Sequence, residues 1–126
     1  MKSCVATATF GCDPTKVWLY LTNPMLNHWR TDVSEADISS DGMKVTEKNS
    51  DGTNTVIDFT RKEKPRHIDC TFTRGKIKGS FIAILLGGGD STSLECTLAV
   101  EGMGLFTKSK TMMDSYFGML RRGLGE

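Results

Sequence analysis

The stretch from Ser34 to Gly102 constrains the fold most, because turn signals divide it into short segments of strand-like composition. These signals are Asp41-Gly42, Asp51-Gly52, Lys64-Pro65, Arg74-Gly75 and the run Gly87-Gly88-Gly89-Asp90. They leave six segments of strand length after the first part of the chain. Six successive strands joined by short turns form an antiparallel meander.

Strand pairing around the Arg74-Gly75 turn can be tested against the apolar pattern. A two-residue turn at these positions pairs Phe72 with Ile77, so apolar side chains lie on one face of the sheet, as a half-buried sheet requires. The same register places Gly79 opposite Cys70. Two small residues on the inner face predict a point of strong curvature or open volume there.

The Asp51-Gly52 turn does not fit a two-residue loop, because that register would place Val45 opposite Asp58. A loop of three or five residues with Gly52 in the left-handed conformation brings Val45 to the same side as Ile57 and Phe59. We therefore expect the longer loop.

Two short helices are predicted between the first strand and the meander. Val5 to Phe10 reads as the first strand, Asp13 as an N-cap and Pro14 as the first helical residue. Asn23-Pro24 ends this helix. The apolar residues that define the first helix are Val17, Trp18 and Leu21, and those of the second are Met25, Leu26 and Trp29.

The pattern after Gly102 changes to that of a long amphipathic helix, predicted from about Leu105 to Arg122, with Gly123 as its stop signal. At about 100° per residue the apolar side chains fall on one arc of roughly 160°. Ser109, Tyr116 and Leu120 lie nearest the middle of that arc. The arc comprises Leu105, Phe106, Met112, Met113, Tyr116, Phe117, Met119, Leu120 and Leu124.

Length and charge restrict the class of protein. The 126 residues suit one domain, residues 1–126, and a net charge of +1 with interspersed charges lacks the basic surface of a nucleic-acid binder. No apolar stretch approaches the roughly 20 residues of a membrane span, and the N-terminal run is too short and polar for a signal peptide. We therefore expect a cytoplasmic protein.

The four cysteines, Cys4, Cys12, Cys70 and Cys96, form no C-x-x-C pair, and the two histidines are far apart in sequence. A zinc site needs closely paired Cys and His ligands, so no metal site is predicted. All four cysteines lie in or beside apolar runs. Small buried hydrophobes in a reducing compartment are the simpler interpretation.

The first turn carries Phe10-Gly11-Cys12-Asp13-Pro14-Thr15-Lys16-Val17-Trp18, followed by Leu21, Asn23-Pro24 and Trp29. With the order of elements, this resembles the START/Bet v 1-like superfamily, which includes polyketide cyclase-like proteins, over essentially the whole chain. The resemblance implies an α+β fold: a seven-stranded curved antiparallel sheet, ordered 1-7-6-5-4-3-2, grips the long C-terminal helix. It also implies a cavity between sheet and helix, which short loops would make small or closed.

No catalytic constellation is evident, and no cofactor is predicted. His28 has no acid or nucleophile near it in sequence, and His67 is most simply a solvated turn residue. Asp58, Glu95 and Glu101 fall on the face opposite the apolar set, so they cannot share an inner site. Neither G-x-S-x-G nor a phosphate-binding loop occurs.

Binding of an apolar or amphipathic small molecule between sheet and helix is therefore the predicted function. A polyketide cyclase/aromatase-like enzyme is an alternative, but it needs polar groups inside the cavity, and we expect this sequence to offer few. A protein-interaction module is another alternative. Tyr116 is the predicted polar contact, and Trp29 is also a core anchor. The predicted ligand-binding residues are Trp29, Phe59, Phe72, Phe81, Leu98, Ser109, Met112, Met113 and Tyr116.

The sixth strand is apolar on both faces. Ile82, Ile84 and Leu86 would point away from the helix, where this fold has no second layer. An apolar patch on an exposed face often marks an interface, so these residues predict a homodimer.

Overall fold

The computed structural model describes residues 2–101 and 109–126. Two α-helices, a 3₁₀ helix and seven strands make up this part of the chain. In chain order they are β1 (Lys2–Phe10), α1 (Pro14–Thr22), the 3₁₀ helix (Pro24–Trp29), β2 (Val33–Ile38), β3 (Lys44–Asn49), β4 (Asn54–Glu63), β5 (His67–Arg74), β6 (Ile77–Gly88), β7 (Ser91–Glu101) and α2 (Ser109–Gly123).

The strands form one open antiparallel sheet in the order β1-β7-β6-β5-β4-β3-β2. The predicted α+β fold, with seven antiparallel strands, two short helices and a C-terminal helix, is therefore confirmed, and so is the strand order implied by the resemblance. The part of the predicted C-terminal helix before Ser109 lies outside the described residues. Among those that are described, no helix is long and apolar enough to cross a membrane.

Local chemistry explains how the first helix begins and ends. The Asp13 carboxylate accepts a hydrogen bond from the Thr15 N–H at 2.7 Å, and Pro14 follows as the first helical residue. At the other end the Asn23 N–H still donates to the Leu19 carbonyl, and Pro24 then opens the 3₁₀ helix. The predicted cap and break are both confirmed.

The loop between β3 and β4 has the predicted form. Gly52 adopts a φ of 90°, the Asn49 N–H donates to the Thr53 carbonyl, and Val45 pairs with Ile57. The longer loop therefore brings the apolar residues of both strands to one face.

The turn between β5 and β6 lies one residue later than predicted, which shifts the pairing of the two strands by two residues. Arg74 pairs with Ile77, so the turn residues are Gly75 and Lys76, and Phe72 lies opposite Gly79 instead of Ile77. Gly75 has a φ of 61°, and a type II′ turn takes glycine at its first central position. Because the error is an even number of residues, the buried face is unchanged.

Gly79 is covered by an aromatic ring. A Cβ atom there would lie 2.5 Å from Phe72 Cζ and 2.7 Å from the Ala99 carbonyl oxygen. The predicted pairing of Gly79 with Cys70 is therefore wrong, since Cys70 pairs with Phe81, and so is the open volume, because the Phe72 ring occupies the space above the glycine. Strong curvature of the sheet at Gly79 stays a prediction.

Helix α2 lies across the sheet with a buried apolar stripe that includes Met113, Phe117 and Leu120. Its last turn approaches the 3₁₀ helix so closely that a Cβ on Gly123 would lie 2.1 Å from Trp29 Cβ. Gly123 remains helical, so its predicted role as the stop signal is wrong. Gly125, with a φ of 82°, takes the left-handed conformation beyond the helix end.

Candidate ligand-binding cavity

A partly enclosed cavity of about 760 Å³ lies between the inner face of the sheet and α2. It exists because α2 packs mainly on β1, β7 and the 3₁₀ helix, whereas the cavity walls come largely from β3 to β6 and from one face of α2. The volume falls within the range of small-molecule sites.

Eight of the nine residues predicted to bind a ligand line this cavity; the Ser109 side chain is outside the described part of the chain. Contact of these residues with a ligand stays a prediction. The eight residues are Trp29, Phe59, Phe72, Phe81, Leu98, Met112, Met113 and Tyr116.

Aromatic rings form the wall nearest α2. The Trp29 and Tyr116 rings meet edge to face, with centroids 5.2 Å apart and planes at 82°. The Phe81 ring is tilted against the Tyr116 ring, with centroids 5.9 Å apart. Trp29 is thus both a core residue, 5% exposed, and part of the cavity wall. Burial raises the pKa of Tyr116, so its hydroxyl stays protonated.

One end of the cavity is polar, which we did not expect from the sequence. Glu47, Thr55 and Arg74 are cross-strand neighbours on β3, β4 and β5, and all three line the cavity. Arg30 and Asp32, which lie just before β2, join them there. The expectation that the cavity would offer few polar groups is therefore wrong.

Arg30 is shared between two carboxylates. Its Nε and Nη2 donate side by side to the two oxygens of Asp32 at 2.9 and 3.0 Å, and Nη1 and Nη2 donate to those of Glu47 at 3.2 and 3.4 Å. The guanidinium carbon lies 5.5 Å from the Trp29 ring centroid and 5.4 Å from that of Tyr116. Arg30 therefore connects the polar end to the aromatic wall.

Burial and charge act oppositely on the two carboxylates. At Asp32 burial raises the pKa, but the hydrogen bonds and charge of Arg30 outweigh it, and the net pKa is lowered. At Glu47 burial is the larger effect, and the net pKa is raised although Arg30 lowers it. Of these two carboxylates, Glu47 is the one whose burial Arg30 does not outweigh.

A usable signal for Glu47 was present in the sequence. Side chains alternate between the two faces of a strand, so an inward Val45 also places Glu47 and Asn49 on the inner face. The structure has all three buried. Val45 is the only apolar residue of β3, and charged neighbours made the strand look solvent-facing.

The other candidate acids and histidines do not face the cavity. Asp58, Glu95 and Glu101 are exposed on the opposite face, as predicted. His28 is exposed beside the Tyr20 ring. His67 was predicted to be a solvated turn residue, but it is half-buried at the start of β5, with Nε2 2.8 Å from Asp69 Oδ1. No group of three potential metal ligands occurs among the described residues.

The cysteines are unpaired, and they differ in burial. Cys70 and Cys96 are buried, and burial raises the pKa of each thiol to about 12. Cys4 and Cys12 are half-buried. Cys70 lines the cavity, so a thiol that stays protonated forms part of its wall.

The outer face of β6 exposes part of the predicted dimer patch. Leu86 is 60% and Ile82 is 36% exposed, and Ile84 is half-buried. The homodimer stays a prediction.

No family model matches the chain, and no curated protein is significantly similar to it in sequence. Solved structures share its fold at low identity. A conserved protein from Geobacillus kaustophilus is 14% identical with a TM-score of 0.79, over 98% of this chain and 95% of that one. A START superfamily protein from Mycobacterium smegmatis is 13% identical with a TM-score of 0.73, over 97% and 93%.

A third similar structure, CalU16 from Micromonospora echinospora, is 20% identical with a TM-score of 0.62, over 98% of this chain and 73% of that one. At these identities the comparisons establish the fold. It is the START/Bet v 1-like, helix-grip fold that the sequence predicted.

Proposed function

We propose that the protein binds an apolar or amphipathic small molecule in the cavity between its sheet and α2. The observation that carries the proposal is the cavity itself, about 760 Å³ with mostly apolar and aromatic walls and polar groups gathered at one end. Such a combination is typical of small-molecule sites, where apolar walls supply affinity and a few polar groups fix orientation. Free cysteines favour a reducing compartment such as the cytoplasm.

Binding of Nile red, a neutral fluorescent probe of apolar sites, tests this proposal. Met112 lines the cavity and is 39% exposed, so Met112→Trp can fill part of the space without replacing a core residue. Asp114→Trp, at an exposed position of the same helix, is the matched control. We expect tight, saturable binding by the parent and the control, and weak binding by Met112→Trp.

Equal binding by all three proteins would contradict the proposal, because the probe would then be held elsewhere. Thermal unfolding of each variant identifies any loss of binding that comes from loss of the fold. Native mass spectrometry of the purified protein would add the identity of any molecule carried through purification.

A polyketide cyclase-like activity is a second candidate, favoured by the carboxylate of Glu47 inside the cavity. Burial raises its pKa above the ordinary glutamate value, and a positioned carboxyl group is one of the side chains that serve as general acid or base. The test is incubation with a poly-β-ketone model substrate and a search for a product that has lost water. Formation of this product by the parent and not by Glu47→Gln would support the candidate, and equal rates in both would exclude Glu47 from it.

A further inference from the structure

The edge of the sheet at β1 carries backbone groups whose direction follows from the β6–β7 turn. Residues that flank a two-residue hairpin turn exchange both backbone hydrogen bonds, and such hydrogen-bonded pairs then alternate along the two strands. Gly88 and Ser91 flank a turn of this kind, so the odd-numbered residues of β7 bond to β6 and the even-numbered ones to β1. Even-numbered residues of β1 are the partners of the latter, and the odd-numbered residues of β1 therefore direct their backbone groups away from the sheet.

The Thr9 carbonyl agrees with this direction, because it accepts a hydrogen bond at 3.0 Å from Arg121 Nη1, a side chain of α2. Three other residues of β1 have the same orientation. Within the described part of the chain, their N–H and C=O groups have no hydrogen-bond partner. These residues are Ser3, Val5 and Thr7, all of them exposed, and Val5 is 64% exposed.

The composition of β1 leaves this edge unprotected. A long edge strand with unpaired backbone groups can pair with another chain, and proteins commonly protect such edges with charged side chains. The sequence from Ser3 to Phe10 contains no charged residue. The opposite edge of the sheet, β2, carries the exposed carboxylates of Glu35 and Asp37, which would approach each other in a pair of β2 strands. Charge therefore permits self-pairing at β1 and opposes it at β2.

We infer that two copies of the chain associate through β1, antiparallel about a two-fold axis at Val5, so that their sheets become continuous. In this register Val5 faces Val5 of the second copy, and Ser3 faces Thr7. Each facing pair exchanges two backbone hydrogen bonds, so every free group of the three residues is used on both copies. A register displaced by two residues would bring Ser3 opposite Thr9, whose carbonyl Arg121 already engages.

The outer face of the sheet is consistent with this axis. Val5, Thr97 and Ile82 are cross-strand neighbours there, and the pairing would continue their row into the second copy. The exposed Val5 side chains would then pack against each other, and apolar cross-strand pairs stabilise a sheet. The interface lies along the strand edge, so it differs from a dimer formed through the face of β6.

Charge at Val5 tests the axis. Val5→Lys and Val5→Glu each place like charges directly opposite one another, whereas a mixture of the two variants places opposite charges there. We expect the parent to be a dimer in analytical ultracentrifugation, and each variant to have a dimer dissociation constant raised at least about tenfold. The mixture should restore the dimer. Because Val5 is exposed, both variants should keep the parent's circular dichroism spectrum.

Two lysine variants are the matched controls, and both should stay dimeric. Thr9→Lys is exposed on the same strand beyond the paired residues, and Leu86→Lys is exposed on the outer face of β6. A monomeric parent, or a Val5→Lys protein as dimeric as the parent, would overturn the inference. Loss of the dimer in Leu86→Lys alone would place the interface on the face of β6 instead. Variants that dissociate separately but form no dimer when mixed would refute the axis at Val5.

Discussion

Two glycines of α2 allow a matched test of how the helix meets the 3₁₀ helix. At Gly123 an added Cβ would lie 2.1 Å from Trp29 Cβ, although carbon atoms pack comfortably at about 3.5–4.0 Å. The helix and Trp29 must therefore move apart by about 1.5 Å, and overpacking of this kind costs about 1–3 kcal/mol. Gly118 is exposed in the same helix with no atom within 4 Å of its added Cβ.

Gly123→Ala should accordingly lower the free energy of unfolding by about 1–3 kcal/mol. Gly118→Ala should raise it by about 0.5–1 kcal/mol, because alanine is the better helix former and meets nothing. For a chain of this size a change of 1 kcal/mol shifts Tm by about 4 °C. Urea unfolding followed by circular dichroism measures both variants.

The displacement at Gly123 should also reach the cavity, since Trp29 belongs to its wall. We therefore expect Gly123→Ala to weaken Nile red binding as well as stability, and Gly118→Ala to change stability alone. If Gly123→Ala is as stable as Gly118→Ala, the close approach of α2 to Trp29 is wrong.

Three further outcomes are expected. Gly79→Ala should destabilise the fold by about 1–3 kcal/mol in urea unfolding, and Phe72→Leu should recover part of that loss in the double variant because it removes the ring that the new Cβ meets. Burial raises the pKa of Glu47, so the folded protein holds this proton to a higher pH than the unfolded chain does. The free energy of unfolding should therefore fall as pH rises from the ordinary glutamate pKa towards the raised one. Glu47→Gln should lack this component in urea titrations from pH 4 to 8. Cys70 and Cys96, each with a pKa of about 12, should resist Ellman's reagent at pH 8 until the protein unfolds, and rapid reaction of either thiol in the folded protein would contradict their burial.

The set of side chains on the inner face of the sheet was predictable, because side chains alternate strictly between the two faces of a strand. A register error of two residues at the β5–β6 turn left Phe72 on the inner face, as it would for any even displacement. The same error did change the partner of Gly79, and with it the interpretation of that glycine. The face on which a side chain lies follows from alternation along its own strand. Its partner on the next strand depends on which turn residue takes the positive φ, here Gly75.

The polar end of the cavity was harder to find for a different reason. Alternation alone would have placed Glu47 inside, but a single inward carboxylate in a short charged strand gives little reason to expect burial. Arg30 stabilises the buried carboxylate by donating hydrogen bonds to it. It is 17 residues away in sequence and lies in the segment between the 3₁₀ helix and β2. The Arg30–Glu47 pair is therefore seen only in the folded structure, where that segment lies beside β3.

Arg30 has a structural role in addition to its place in the cavity wall. Its guanidinium packs against Trp29 and Tyr116 and bonds both carboxylates, and its side chain is only 14% exposed. Removing it would leave Asp32 and Glu47 without the guanidinium that bonds them both, and loss of one partner of a buried pair costs about 3–5 kcal/mol. Any change in ligand preference in such a variant would be inseparable from damage to the fold. Glu47→Gln keeps the size of the side chain and an acceptor oxygen for Arg30, so the contribution of this carboxylate to the cavity is best tested at Glu47 itself.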